Sequence, residues 1–221
     1  MLEYLTWDLI FLSVWFLFYY TRKDLRKKML LTSIVATPLG LFEPLFVPSY
    51  WNPSTLFDLA AKTGLDIESL IYAFTVTGIA AVLYDILLNK KLVKVSKKAN
   101  KLVFIIILPL VFFGSGFIFD NFIYSTISSL FIGSLAIWIY RKDLFKHTIL
   151  SGIIFLIFYT AILLLIDNLI FMGWVKNTWN IANLTGIVLF GIPMEELLFA
   201  LMTGFFWYGL YNAVNGYGLK E

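Results

Sequence analysis

The sequence contains no cysteine and a single histidine among its 221 residues. Without cysteine the chain can form neither disulfides, thioether-linked haem nor a thiolate metal site, and it has no cysteine nucleophile. Charged residues make up only 14% of the chain, whereas 60% is hydrophobic and 19% is aromatic. A water-soluble domain of this length could not cover so much apolar surface, so the composition indicates an integral membrane protein.

Lysine and arginine are absent from the interior of the long apolar runs. All 17 of these residues fall in loops or at loop edges, as expected if an unpaired cation is costly in hydrocarbon. An apolar helix of about 20 residues crosses the bilayer core. We predict seven spans, at residues 3–20, 29–47, 66–88, 102–119, 122–140, 148–171 and 184–212.

The basic residues are also divided unequally between the two sides of this predicted bundle. Lys62 and Lys176 are the two in the outer loops, and the others lie on the opposite side, in the loops 21–28, 89–101 and 141–147 and at Lys220. By the positive-inside rule the N-terminus is outside and the C-terminus is cytoplasmic. This distribution predicts a multi-pass protein of the cell (plasma) membrane.

Several short segments recur along the chain. Arg22-Lys23-Asp24-Leu25 returns as Arg141-Lys142-Asp143-Leu144, and the segment 64–70 resembles the segment 191–197. We interpret the pattern as a duplication. The predicted fold is all-α and integral to the membrane: seven transmembrane helices form two parallel three-helix repeats joined by a connecting helix. The repeats are 1–92 and 120–216, and a basic loop with the connecting helix occupies 93–119.

The adjacent carboxyl groups of Glu195 and Glu196 are the strongest candidates for a functional site. They lie well inside the predicted seventh span, where Pro193 is expected to break the helix so that the pair opens its inner portion. A helix start favours carboxylates. A carboxyl group held protonated in apolar surroundings can act as a general acid.

Four further acids are predicted to gather in the outer half of the bundle and form a second tier of candidates. Their alternative role is structural, because carboxylates also cap helix ends, and Asp-Asn pairs hold turns. These four acids are Glu43, Glu68, Asp120 and Asp167.

The aromatic residues allow two interpretations. Clusters such as Tyr50-Trp51 and Phe205-Phe206-Trp207-Tyr208 are typical of the belts that Trp and Tyr form at membrane interfaces. Ring faces also stabilise cations, and a carbocation in a dry pocket would need them. On composition alone we assign these two clusters to the belt.

Taken together, these features resemble the membrane lycopene cyclases of the heterodimeric or fused type. The similarity rests on the doubled three-span unit and on Phe119-Asp120-Asn121, Ile166-Asp167-Asn168 and Pro193-Met194-Glu195-Glu196, which matches the family's Pro-x-Glu-Glu signature. In the first repeat, Asp66 stands at the position of the proline and Ser69 at that of the second glutamate.

The resemblance implies a role in carotenoid biosynthesis. The reaction would be the redox-neutral, acid-catalysed cyclisation of the end groups of lycopene or a related acyclic carotenoid, with β-rings as the expected product. Glu195 or Glu196 would be the acid, and Asp120, Asp167, Glu43 and Glu68 are candidates for the base and the proton relay. No cofactor and no metal are expected, and no Gly-x-Gly-x-x-Gly run is present to bind a dinucleotide. The expected partners are the lipid bilayer and other carotenoid enzymes, and no nucleic acid.

Three other classes share part of this pattern. A SWEET-like solute transporter has the same three-plus-one-plus-three layout, but the prolines of span two have no counterpart in span six. A retinal-binding photoreceptor needs a lysine in the last span, which has none. An intramembrane CAAX-type protease would continue Glu195-Glu196 to an arginine where Ala200 stands. Its metal would need histidine ligands, and we place the one histidine, His147, at the surface.

Overall fold

The computed structural model describes residues 2–95 and 97–219 and is mainly helical, as the predicted class requires. Within those residues two short antiparallel strand pairs accompany the helices. Lys220, part of the predicted basic side, lies outside the described residues. The helices and strands in chain order are α1 (Glu3–Thr21), α2 (Arg26–Ala36), α3 (Leu59–Thr63), α4 (Ile67–Leu87), β1 (Leu92–Lys94), α5 (Lys101–Ser115), α6 (Phe122–Tyr140), α7 (Phe145–Leu165), α8 (Trp174–Thr178), β2 (Val188–Leu189), β3 (Ile192–Pro193), α9 (Met194–Asn215) and β4 (Tyr217–Leu219).

Four helical segments of the described chain are long and apolar enough to cross a membrane. They are Ile67–Leu87, Phe122–Tyr140, Lys142–Ile170 and Met194–Asn215. They match four of the predicted spans and support the assignment to membrane proteins. The helix α1 coincides with the predicted first span, and α5 is a shorter apolar helix. The full count of seven spans stays a prediction.

Two predicted spans are wrong in their helical extent. The helix α2 ends at Ala36 and continues as a 3-10 segment, Thr37–Leu45, which contains Pro38 and Pro44. Proline lacks the N–H donor of an α-helix and clashes with the preceding turn, which explains why 29–47 is not one α-helix.

The predicted seventh span begins ten residues too early. Residues 184–193 are loop and a β2–β3 hairpin rather than helix, and α9 begins at Met194. Gly191, with φ +84°, lies in the turn of that hairpin, a conformation that favours glycine. The helix therefore starts directly after Pro193, as predicted, but residues 184–193 before it are not helical.

The chain divides into two compact units. The first consists of the residues up to Ile79 together with Phe158–Leu197. Here α1 buries one face, formed by residues three or four positions apart, as expected for a helix. The indole Nε1 of Trp15 donates to Ser33 Oγ at 2.9 Å, and a Cβ added to Gly78 would lie 2.1 Å from that oxygen. Close packing of α1, α2 and α4 at this point thus depends on Gly78.

The second unit consists of Ala80–Ile157 and the residues from Leu198 onward. In it α7 and α9 approach so closely that a Cβ on Gly204 would lie 2.7 Å from the Cα of Gly152. The strands β1 and β4 pair antiparallel. The guanidinium of Arg141 is fully buried and donates to Asp143 and to the backbone carbonyls of Lys97, Asn212 and Tyr217.

The two Arg-Lys-Asp-Leu turns have the same local geometry. Arg22 binds Asp24 with two parallel contacts of 3.0 and 2.9 Å, and Arg141 binds Asp143 in the same way at 2.8 and 2.5 Å. Each arginine is also the C-cap of the preceding helix. This likeness supports the predicted repeat, which stays a prediction together with the proposed boundaries.

Candidate functional site

The start of α9 positions the two adjacent glutamates. The hairpin of β2 and β3 brings the chain to Met194, whose backbone N–H donates to Ile187 O at 2.9 Å. Glu195 and Glu196 then fall in the first helical turn, where unpaired N–H groups favour negative charge. Both side chains are buried. The sequence predicted this placement correctly, because proline at a helix start removes a donor that has no helical partner.

Glu196 is the centre of a network of ring donors. The hydroxyl of Tyr50 donates to Oε2, the hydroxyl of Tyr159 donates to Oε1, and the indole Nε1 of Trp179 donates to Oε2 at 3.1 Å. Burial raises the pKa of the Tyr50 hydroxyl well above its usual value, and the charge of Glu196 adds to the rise, so this phenol stays a donor. Three donors on one carboxyl group stabilise its anionic form.

Backbone pairing holds two of these donors in place. The N–H of Asn52 donates to Thr178 O at 2.8 Å, and that of Asn180 donates to Tyr50 O at 2.9 Å. The chain around Tyr50 therefore runs beside the chain around Trp179 as an isolated antiparallel bridge. Because both segments are fixed by main-chain hydrogen bonds, the two donors reach Glu196 from a rigid base.

Aromatic rings continue outward from this network. The rings of Trp7 and Tyr159 meet edge to face at 5.1 Å, and Trp179 packs against Trp51 and Trp174 at 5.3 and 5.4 Å. Tyr50 and Trp51 are buried, so their assignment to an interfacial belt is wrong. The cluster at 205–208 is buried in the second unit, so its assignment to the belt is wrong as well. Composition could not show this, because buried and interfacial aromatic residues look alike in a sequence.

Glu195 has a different environment from its neighbour. Its Oε1 accepts the backbone N–H of Thr185 at 2.8 Å and so connects the loop before the hairpin to the helix start. Glu68, at the matching position of the first repeat, accepts the backbone N–H of Leu56 at 2.5 Å. The same contact occurs in both predicted repeats. This pattern indicates that Glu68 and Glu195 hold a loop against a helix.

Two more of the predicted acids also hold local structure. Glu43 Oε1 accepts the indole N–H of Trp51 at 2.7 Å. Asp167 Oδ1 accepts the backbone N–H of Val175 at 2.7 Å and stabilises the turn before α8. In both cases the donor lies eight residues after the acid, which is a further likeness between the repeats.

The structure brings five of the predicted acids into the first unit: Glu43, Glu68, Asp167, Glu195 and Glu196. Asp120 is exposed in the turn before α6, in the second unit, and takes no part in the network around Glu196. His147, which we predict to be a surface residue, lies near the start of α7. It is half-buried, and its Nδ1 lies 2.9 Å from the Tyr84 hydroxyl.

Sequence reasoning missed the network partners of Glu196, and it left open whether Asp8 faces water or the helix bundle; the structure buries it. Asp8 lies on the buried face of α1 with Tyr4, Trp7 and Phe11. The sequence did contain a signal for this burial. Asp8 lies one residue after Trp7 and four residues after Tyr4, which places it on the same side of a helix as these aromatic residues. Within residues 2–95 and 97–219, no group of three or more histidine, aspartate or glutamate side chains is placed to hold a metal ion.

The fold and the site together define a helical membrane protein with a buried carboxyl group among aromatic donors. Residues 121–214 match a family model described as lycopene cyclase. The match confirms the resemblance to lycopene cyclases over that region and supports cyclisation of a carotenoid, while the heterodimeric or fused type stays a prediction. No curated protein and no solved structure matches the chain. Nothing in these comparisons supports a transporter.

Proposed function

We propose that this protein cyclises the end groups of lycopene, or of a related acyclic carotenoid, to β-rings by acid catalysis, with Glu196 as the acid. The observation that carries the proposal is the set of three donors on a buried carboxyl group, from Tyr50, Tyr159 and Trp179. The family match over residues 121–214 supports the reaction class. The protein acts within the lipid bilayer, with its N-terminus outside and its C-terminus in the cytoplasm.

An alkene is a very weak base, so its protonation requires an acid with a stable anion. The donors on Glu196 meet this requirement, because they stabilise the carboxylate that remains after the proton has left. Because the donors already contact the carboxyl group, little reorganisation is needed when the charge appears. Glu195 supports the site by holding the loop at Thr185, and it does not itself transfer a proton.

The reaction begins when the Glu196 carboxyl group gives its proton to the terminal double bond, which forms a tertiary carbocation. A second alkene of the same chain attacks this cation and closes a six-membered ring. Loss of a ring proton to a base then forms the new ring double bond. One proton is added and one is lost, so the product is an isomer of the substrate. The rings of Trp7, Trp174 and Trp179 offer faces that stabilise the passing cation.

Expression of the chain alone in a lycopene-accumulating host tests the proposal. We expect cyclic carotenoids of the same mass as lycopene, with β-rings identified by chromatography against standards. In deuterated water each ring should gain no more than one deuterium, because each ring receives one proton from an exchangeable carboxyl group and loses one proton from carbon. Unchanged lycopene in cells that accumulate the protein in their membranes would contradict the proposal.

A further inference from the structure

Asp8 is a buried carboxyl group that the network around Glu196 does not use. Its side chain is fully buried, and neither of its oxygens has a hydrogen-bond donor among the described residues. Burial of such a group without a partner costs free energy, and buried polar groups in native proteins are normally paired. A leucine at this position would avoid the cost, so the carboxyl group needs a functional explanation.

Three other acids lie within electrostatic range of Asp8, and each of them has a donor. Glu43 accepts from Trp51, Glu68 accepts from Leu56, and Asp66 accepts the backbone N–H of Ser69 at 2.6 Å. An anion that accepts hydrogen bonds is stabilised, whereas an anion without donors takes up a proton more readily. Asp8 is therefore the best proton acceptor of this group.

A pair of hydroxyl groups leads from this region to Glu196. The hydroxyls of Tyr72 and Tyr159 are 2.7 Å apart, and Tyr159 donates to Glu196. Tyr72 lies within electrostatic range of both Asp8 and Glu196. A phenolic hydroxyl both donates and accepts, so the pair can pass a proton along. The ring of Trp7, the residue before Asp8, also contacts the ring of Tyr159.

We propose that Asp8 is the base of the cyclisation and takes the proton that the new ring loses. This inference rests on the proposed function. In the resting site the proton is on Asp8, and Glu196 is the carboxylate that its three donors favour. The proton passes through Tyr72 and Tyr159 to Glu196, which leaves Asp8 as a carboxylate. Glu196 then protonates the alkene, and Asp8 receives the ring proton as the ring double bond forms, which restores the resting state.

The test compares Asp8→Asn, Asp8→Glu and the matched control Glu3→Gln in the lycopene-accumulating host. Glu3 is a half-exposed acid on the same helix, so its change removes a carboxyl group of α1 away from the site. We expect Asp8→Asn to lower ring formation on the order of a hundredfold or more, the range of general acid–base catalysis. Asp8→Glu should restore part of the activity, and Glu3→Gln should match the parent.

Two further measurements separate a base from a structural residue. The thermal stability of Asp8→Asn in detergent should be unchanged, because an amide of nearly the same size replaces a carboxyl group that is protonated in the resting site. Its residual product should contain a larger share of ε- and γ-rings, since a different proton is lost when the base is absent. Parental turnover of Asp8→Asn, or a loss that follows lowered stability with no change in ring type, would overturn the inference. Failure of the parent chain itself to form rings would instead overturn the proposed function.

Discussion

Glu195 and Glu196 are neighbours in the chain but accept hydrogen bonds from different kinds of donor. Glu195 accepts a backbone N–H from Thr185, whereas Glu196 accepts from two phenols and an indole. Side chains of successive helical residues point about 100° apart, which separates the two environments. This difference leads us to assign the proton transfer to Glu196 and a structural role to Glu195.

Replacement of each glutamate by glutamine distinguishes these roles. Glu196→Gln should abolish ring formation, because an amide cannot give a proton to an alkene, while the protein still accumulates in membranes. Glu195→Gln should retain most of the turnover, because its amide oxygen still accepts the Thr185 N–H. Pigment analysis in a lycopene-producing host measures both. Equal loss of activity in the two variants would contradict the assignment.

The donors of Glu196 should each contribute to turnover. We expect Tyr50→Phe, Tyr159→Phe and Trp179→Phe to slow cyclisation about tenfold to a hundredfold each, since a hydrogen bond to a charged group is worth about 1.5–3 kcal/mol. Initial rates in isolated membranes provide the measurement.

Tyr20→Phe is the control for the donor variants, since Tyr20 is 64% exposed and lies away from the network. It should match the parent. Because the donors share one acceptor, the effects of double variants should not add. Parental rates in all three donor variants would show that the network does not assist the reaction.

The contact between α7 and α9 should tolerate no side chain at Gly152. A Cβ there would lie 1.8 Å from Phe205 Cδ1 and 2.7 Å from Leu201 O. We expect Gly152→Ala to destabilise the protein by about 1–3 kcal/mol, as overpacking does. Thermal unfolding in detergent would show the loss as a lower midpoint.

Gly114→Ala is the matched control for that variant. Gly114 lies in α5 with open space where a Cβ would be, and alanine is the better helix former by about 1 kcal/mol. Its unfolding midpoint should be equal to or above that of the parent. If Gly152→Ala unfolds at the same temperature as Gly114→Ala, the described helix contact is wrong.

Arg141 should matter for stability despite its position in a basic loop. It is fully buried, and five N–H donors of its guanidinium are used by Asp143 and three carbonyls. We expect Arg141→Ala to cost about 3 kcal/mol or more, because several buried acceptors lose their donor. Arg22→Ala, in the matching turn where the arginine is 18% exposed, should cost less. The yield of folded protein after extraction into detergent and the midpoint of thermal unfolding would be measured for both variants.

Much of the helical framework was predictable from the chain. The helices α1, α4 and α6 coincide with predicted spans. A run of apolar residues in a bilayer must pair its backbone N–H and C=O groups within itself, and an α-helix does so. Pro193 correctly predicts the start of α9, whereas the prediction of helix over the apolar segment 184–193 is wrong. A lipid-embedded helix and an apolar hairpin can have the same composition, so only the backbone hydrogen bonds of β2 and β3 distinguish them.

The sequence by itself determined the class of this protein, the place of Glu195 and Glu196 at a helix start after Pro193 and the resemblance to lycopene cyclases, because these follow from composition and local motifs. The tertiary structure decided which glutamate meets the ring donors and that Asp8, Tyr50 and Trp51 are buried. The physical reason lies in the membrane. A spanning helix is apolar on its lipid face and on its core face alike, so periodicity does not reveal which side is inside. Contacts between segments far apart in the chain, such as Tyr50 and Trp179, settle that question.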